Sequence, residues 1–268
     1  MSTCGYNAGQ AVFWEVCIMK QMIEIKRDAL TLSGMEHFPD NQVDVPAVVI
    51  VPALLGTKVG PHRLLRKISV LLETIGVASL RFDLAGSGES DGEFEDATIT
   101  SQVLDTESAI DRLRTDPRVD PQRIGLLGIS MGGIIAACAA GRRADQVERV
   151  ALLSPWVSIA PTVERIVANR PKNRNMNYFD YNGNRFGLSF GLDVANWDID
   201  GTAGQFKGKL LIVQGTGKGE VQWNDVATFH RNAYDGRGQI VAVDGANHMF
   251  DGYIWEQQVL EQVRGFWG

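Results

Sequence analysis

Ser130 stands in the run Gly128-Ile129-Ser130-Met131-Gly132-Gly133, between the apolar stretch "RIGLLGIS" and the small-residue stretch "MGGIIAACAAG". A G-x-S-x-G turn from strand to helix lifts a hydroxyl above a sheet, with the positive end of the helix beneath it. That arrangement suits nucleophilic attack on an acyl carbon. A serine hydroxyl needs a base, and the chain offers four histidines. His37 falls in an expected amino-terminal hairpin and His230 inside an expected helix. His62 reads as a surface residue at the start of the first expected helix and stays outside the catalytic set. His248, in "DGANHMF" after the last expected strand, is left as the general base. Two backbone N–H groups should hold the oxyanion. Met131, next to the nucleophile, is one; Leu54 in "VPALLGTK" is the other, with Ala53 second by position.

Such groups need a scaffold that brings strand ends together. "MIEIKRDALTLSGMEHFP" has the alternation of two short strands joined near Arg27-Asp28, and "AVVIV" (47–51) is a β-branched run of the kind buried on both faces. "HRLLRKISVLLETIG" places Leu64, Leu65, Ile68, Leu71, Leu72 and Ile75 at helical spacing, with Gly76 as the stop. The alternation continues through strand 77–83, a helix over 101–114, "RIGLLGIS" with its helix, "RVALLSPW", "KLLIVQG", a helix over 224–234, the strand in "GQIVAVDGANHMF" and the helix "WEQQVLEQVRGFW". The pattern predicts a mostly parallel sheet with helices on both faces and its site at the carboxyl ends of the strands. Residues 158–206 break the rhythm with Asn, Gly and aromatic residues and read as a small inserted cap. The expected division is an extension at 1–21, with Met19 or Met22 as candidate starts, a core of 22–157 and 207–268, and the cap.

A net charge of −6 disfavours a nucleic-acid surface, and no apolar run of about 18 residues predicts a membrane span. Cys4, Cys17 and Cys138 form an odd set without metal-ligand spacing, so neither a disulfide framework nor a structural metal is expected. A reducing compartment follows, with cytoplasmic localisation as the expectation. Asp83, Glu89, Asp91 and Asp96 lack the register of a calcium loop.

The stretches "LRFDLAGSGESDGEFED", "DPRVDPQRIGLLGISMGG" and "VDGANHMF" resemble the α/β-hydrolase superfamily, most closely its compact cinnamoyl and feruloyl esterase type with a small inserted cap, over residues 22–268. The resemblance implies a serine hydrolase that cleaves a carboxylic ester or related acyl substrate through a Ser130 acyl-enzyme, without metal or organic cofactor. It also implies that Asp83 and Glu89 shape the site without taking part in chemistry. Two departures stand out. Pro52-Ala53-Leu54 replaces the usual His-Gly before the oxyanion donor. In the G-x-x-D-x-x-V loop that carries the triad acid, Gly215 to Val221 has Lys218 at the acid's place. A lysine cannot accept the imidazole N–H or stabilise the imidazolium. Glu220 is the first candidate to replace it, followed by Asp225 and the pair Asp198 and Asp200, or the site is a dyad.

An acyltransferase or thioesterase would use the same residues, and a weakened ligand-binding member of the fold is the alternative from another class. A haloalkane dehalogenase would need an aspartate at Ser130. The expected partner is a small-molecule acyl substrate, with no nucleic acid and no membrane; a monomer and a homodimer are both compatible. The aromatic-rich insertion suggests an apolar or aromatic acyl group.

Overall fold

The computed structural model describes residues 19–40, 42–168, 178–181, 183–217 and 221–268. The expected hairpin is β1 (Met19–Arg27) and β2 (Leu30–Phe38), paired antiparallel with Arg27 opposite Leu30. Asp28 (φ 52°) takes the left-handed conformation that so short a connection requires. β1 starts at Met19, so the last residues of the expected extension belong to the sheet; residues 1–18 lie outside the described residues.

The β-branched run forms β3 (Val45–Val51). Its Ala47, Val49 and Val51 point into one hydrophobic core and its Val48 and Ile50 into another on the opposite face. Burial on both sides explains why the run has no polar alternation. α1 (Leu64–Thr74) buries Leu64, Leu65, Ile68 and Leu72, and the chain turns after it through Gly76 at φ 79°. β4 (Ala78–Phe82), α2 (Ile99–Arg114), β5 (Val119–Ile129), α3 (Met131–Arg142) and β6 (Arg149–Leu153) continue the alternation. Thr98 caps α2 through a reciprocal capping box with Ser101, which starts the helix two residues before the expected position.

The inserted segment is more regular than its composition suggested. It holds α4 (Ile159–Ala168), the antiparallel pair β7 (Tyr178–Tyr181) and β8 (Asn184–Gly187), α5 (Leu188–Asn196) and α6 (Ile199–Ala203). Phe186 and Phe190 pack edge to face at 4.7 Å, and Phe94 lies 5.5 Å from Phe186. Phe186 and Phe190 join the core that includes α2 and α3. These two rings therefore pin the insertion to the main body, a use that composition cannot distinguish from lining a pocket. α6 packs on the far end of α3 and on α7.

β9 (Lys209–Gly215), α7 (Trp223–Tyr234), β10 (Gln239–Val243) and α8 (Tyr253–Trp267) close the chain. The sheet has eight strands in the order β1-β2-β4-β3-β5-β6-β9-β10. β1, β2 and β4 pair antiparallel in succession, and every pairing from β4 to β10 is parallel. One core lies between the sheet and α1 with α8, the other under α2 and α3. The register sets Val51 beside Gly128, Ile129 beside Leu153 and Gly215 beside Val243. The loops after β3, β5, β9 and β10 therefore meet at one edge of the sheet, as open α/β sheets require of a site.

Candidate active site

Ser130 links β5 directly to α3 with φ 56° and ψ −122°. A non-glycine residue in this region costs about 1–3 kcal/mol, and neighbouring contacts must hold it there. The Ser130 N–H donates to the Leu153 carbonyl (2.9 Å), and the Ser130 carbonyl accepts from Gly133 and Trp156 (3.0 Å each). A methyl group at Gly132 would overlap the Pro52 carbonyl oxygen. The loop after β3 thus lies against the first turn of α3, which only a glycine allows. Leu54 belongs to that loop, inside a turn closed by Gly56 N–H to the Ala53 carbonyl (2.8 Å), with Leu55 at φ 58°. Met131 is the first residue of α3, so the helix itself does not consume its N–H. The loop that carries Leu54 thus packs on the start of α3 with Pro52-Ala53 in place of the expected His-Gly.

His248 Nε2 lies 2.8 Å from Ser130 Oγ. The base sits after an outer strand, so its loop must cross the end of β9 to reach the serine. It does so in close contact with the start of the glycine-rich loop. Gly217 N–H donates to the Ala246 carbonyl (2.9 Å), and Thr216 Oγ1 bridges the Asp244 carboxylate (3.0 Å) and the Gly245 N–H (2.9 Å). A side chain at Gly215 would overlap the Ala246 carbonyl oxygen, and one at Gly217 would sit 2.7 Å from it. The glycines of "QGTGKG" are there in part so that the loop carrying His248 can lie on top of them.

A serine at a strand-to-helix turn and a histidine delivered from beyond the sheet's far strands point to one family, and the alpha/beta hydrolase fold profile matches residues 46–198. This chain belongs to that family. It is 32% identical over 161 residues to the polyketide transferase ATR5 of Stachybotrys chlorohalonatus, a match covering 54% of this chain and 52% of that protein. It is 34% identical over 108 residues to the mitochondrial palmitoyl-protein thioesterase ABHD10 of Pongo abelii, covering 40% and 32% respectively. The matched stretches thus span about half or less of these relatives' length. Est1E from Butyrivibrio proteoclasticus, solved with ferulic acid bound, superposes with a TM-score of 0.81 over 91% of this chain and 97% of that one at 23% identity, a likeness of fold.

The other sequence candidates of this alpha/beta hydrolase separate by position. Glu220, with Lys218, lies outside the described residues. Its flanks do not: Gly217 is fixed against Ala246, and Val221 is buried with its carbonyl accepting from Gln214 Nε2 at 3.4 Å. Asp225 is exposed in the first turn of α7. Asp198 caps α6 through the Gly201 N–H, and Asp200 accepts from Asn232 at 3.2 Å. α6 packs where Gly141 meets Thr202, eleven residues along α3 from Ser130. At 1.5 Å per residue that is roughly 16 Å, so this pair is remote from the nucleophile. His230 Nε2 donates to the Arg237 carbonyl (2.6 Å) at the end of α7.

Asp83, expected to shape the site without taking part in chemistry, makes structural hydrogen bonds. Its carboxylate accepts from the Lys58 N–H (2.6 Å), the Lys58 ammonium and the Glu89 N–H (3.1 Å), and so ties the Leu54 loop to the end of β4. These protein donors occupy the oxygens that a calcium reading would need, and among the described residues no group of three acidic, His or Cys side chains could hold a metal. Behind Lys58 a buried chain continues: Arg81 donates to the Lys58 carbonyl (2.6 Å) and contacts His37 Nε2 (3.0 Å), whose Nδ1 faces Glu73 (3.4 Å). Burial, with the nearby Arg81, Lys20 and Arg66 charges, pushes His37 down to about 4. Burial, helped by Asp40, raises the Glu73 carboxyl to about 7. The one signal in the sequence was a charged residue, Asp83, directly after a fully buried strand.

Proposed function

We propose that this chain is a serine hydrolase acting on a carboxylic ester or related acyl substrate. The observation that carries this reading is the 2.8 Å contact between Ser130 Oγ and His248 Nε2 at the head of α3. His248 would take the serine proton as Oγ attacks the acyl carbon, then return it to the leaving group. The N–H groups of Leu54 and Met131 would hold the oxyanion, and water would release the acyl group from Ser130. Glu220 is the acid we favour, because Gly217, close before it in the same loop, donates to Ala246 in the loop that carries His248. An apolar groove of about 340 Å³ lies between α4 and α5, lined by Ala160, Val163, Leu188 and Leu192 with Glu164 at its wall. Residues 158–206 would act as the cap.

Thioester cleavage or acyl transfer is a second reading, favoured by the relatives named as a thioesterase and a transferase. It uses the same serine and base with a different leaving group or acceptor. The test is labelling with a fluorophosphonate probe, alongside turnover of short p-nitrophenyl esters and acyl thioesters. Wild-type protein should label at Ser130, and Ser130→Ala should lose both labelling and turnover, by on the order of 10⁴-fold or more. An active Ser130→Ala variant would refute the assignment, and the ester-to-thioester ratio decides between the two substrate classes.

A further inference from the structure

His62 takes no part in the proton transfers above, yet it touches both halves of the site. It lies in the 3₁₀ turn Pro61–Arg63, at the end of the loop that carries Leu54. Its Nε2 is 3.0 Å from the carbonyl oxygen of Met249, the residue after His248, and its Nδ1 is 2.6 Å from Glu256 Oε2 at the start of α8. Both partners are acceptors. Each ring nitrogen thus faces an oxygen acceptor, one on either side of the imidazole.

The surroundings are charged. The Glu256 side chain is only 6% exposed and accepts from Lys67 at 2.7 Å through each oxygen, and Asp251 Oδ1 stands 3.6 Å from His62 Nε2. Burial works against the Glu256 charge, but the hydrogen bonds from Lys67 and His62 outweigh it and hold the carboxyl below its usual range. The backbone is left-handed on both sides of the contact, at His62 (φ 36°, ψ 32°), Arg63 (φ 65°) and Phe250 (φ 56°). Non-glycine residues keep such angles only where the surroundings impose them.

We infer that His62 is a positioning residue whose imidazole ring ties the loop carrying Leu54 to the loop carrying His248. This inference rests on the reading of Ser130 and His248 as the reacting pair. The tie holds the Met249 carbonyl, one residue beyond the base, and a displacement of about 1 Å at a reacting group can cost on the order of 10²-fold in rate.

The test measures kcat and KM for an ester substrate in wild type, His62→Asn and Glu256→Gln. Asn accepts the left-handed backbone but is too short to span both oxygens. His62→Asn should lower kcat about 10- to 100-fold with KM within about twofold. Glu256→Gln keeps the shape and one oxygen acceptor, so its kcat should fall less than that of His62→Asn. Wild-type kcat in His62→Asn, or a loss expressed in KM with kcat unchanged, would overturn the inference while leaving the Ser130 reading intact. A wild-type protein that neither labels at Ser130 nor turns over substrate would instead overturn that reading, and this inference with it.

Discussion

The proposed nucleophile and the proposed base of this alpha/beta hydrolase are held in different ways. Ser130 is set by its own turn: β5 delivers it, α3 leaves from it, and its backbone bonds run to the adjoining strand end and to residues just beyond. His248 is set from a distance. The loop that carries it rests on Thr216 and Gly217, and on its other side accepts from His62, far away in the sequence. A locally enforced residue is visible as a motif; one held by several remote segments appears in the sequence as a lone histidine. The two should also respond differently to mutation. The elbow should fail from a single added methyl group, whereas the base should weaken in steps as its supports are removed.

Gly132→Ala tests the first half and should have the largest effect. The new methyl group overlaps the Pro52 carbonyl oxygen, so either the loop after β3 or the start of α3 must move. Chemical denaturation should show a loss of about 2–4 kcal/mol, with kcat for a p-nitrophenyl ester falling at least 10³-fold. A variant with near wild-type kcat would mean that the elbow is less tightly determined than its contacts indicate.

Glu220→Gln tests the second half, with Asp225→Asn as its comparison. If Glu220 orients His248, kcat should fall by about 10²- to 10⁴-fold with KM little changed, as when a triad acid is neutralised. Asp225→Asn should stay within about twofold of wild type. Unchanged turnover in Glu220→Gln would leave a dyad held by its loops alone.

The smallest expected effect concerns the buried chain behind the Leu54 loop. The folded state raises Glu73 to about 7, above its unfolded value of 4.5. Its contribution to stability is therefore complete below about pH 4.5 and is lost as pH rises through about 7. His37, lowered to about 4, has the opposite slope over pH 4 to 6.5, so the two partly cancel in the wild type. Urea denaturation of wild type and Glu73→Gln between pH 5 and 8 separates them. Relative to the variant, wild type should lose stability on the order of 1 kcal/mol or more over this window. A constant difference across the window would mean that Glu73 does not titrate there.

Most of the fold could be read from the sequence because its signals are local. The β-branched run of β3, the helical spacing of α1 and the turn at Asp28 each follow from neighbouring residues. The insertion was less legible, because Phe186 and Phe190 show their role only against Phe94 and the main core. The partners of His62 and Asp83 were not legible for the same reason, since Glu256, Met249 and Lys58 become their neighbours only in the folded chain.

By itself the sequence determined the alternation of strands and helices and the place of Ser130 at the turn from β5 to α3, because backbone sterics and hydrophobic periodicity act over a few residues. Only the tertiary structure decided that the loop carrying His248 lies across Gly215 and Gly217, that Asp198 and Asp200 sit at the far end of α3, and that His62 bridges the two loops. These are contacts between segments far apart in the chain, and they exist only once the sheet has set the register of its strands.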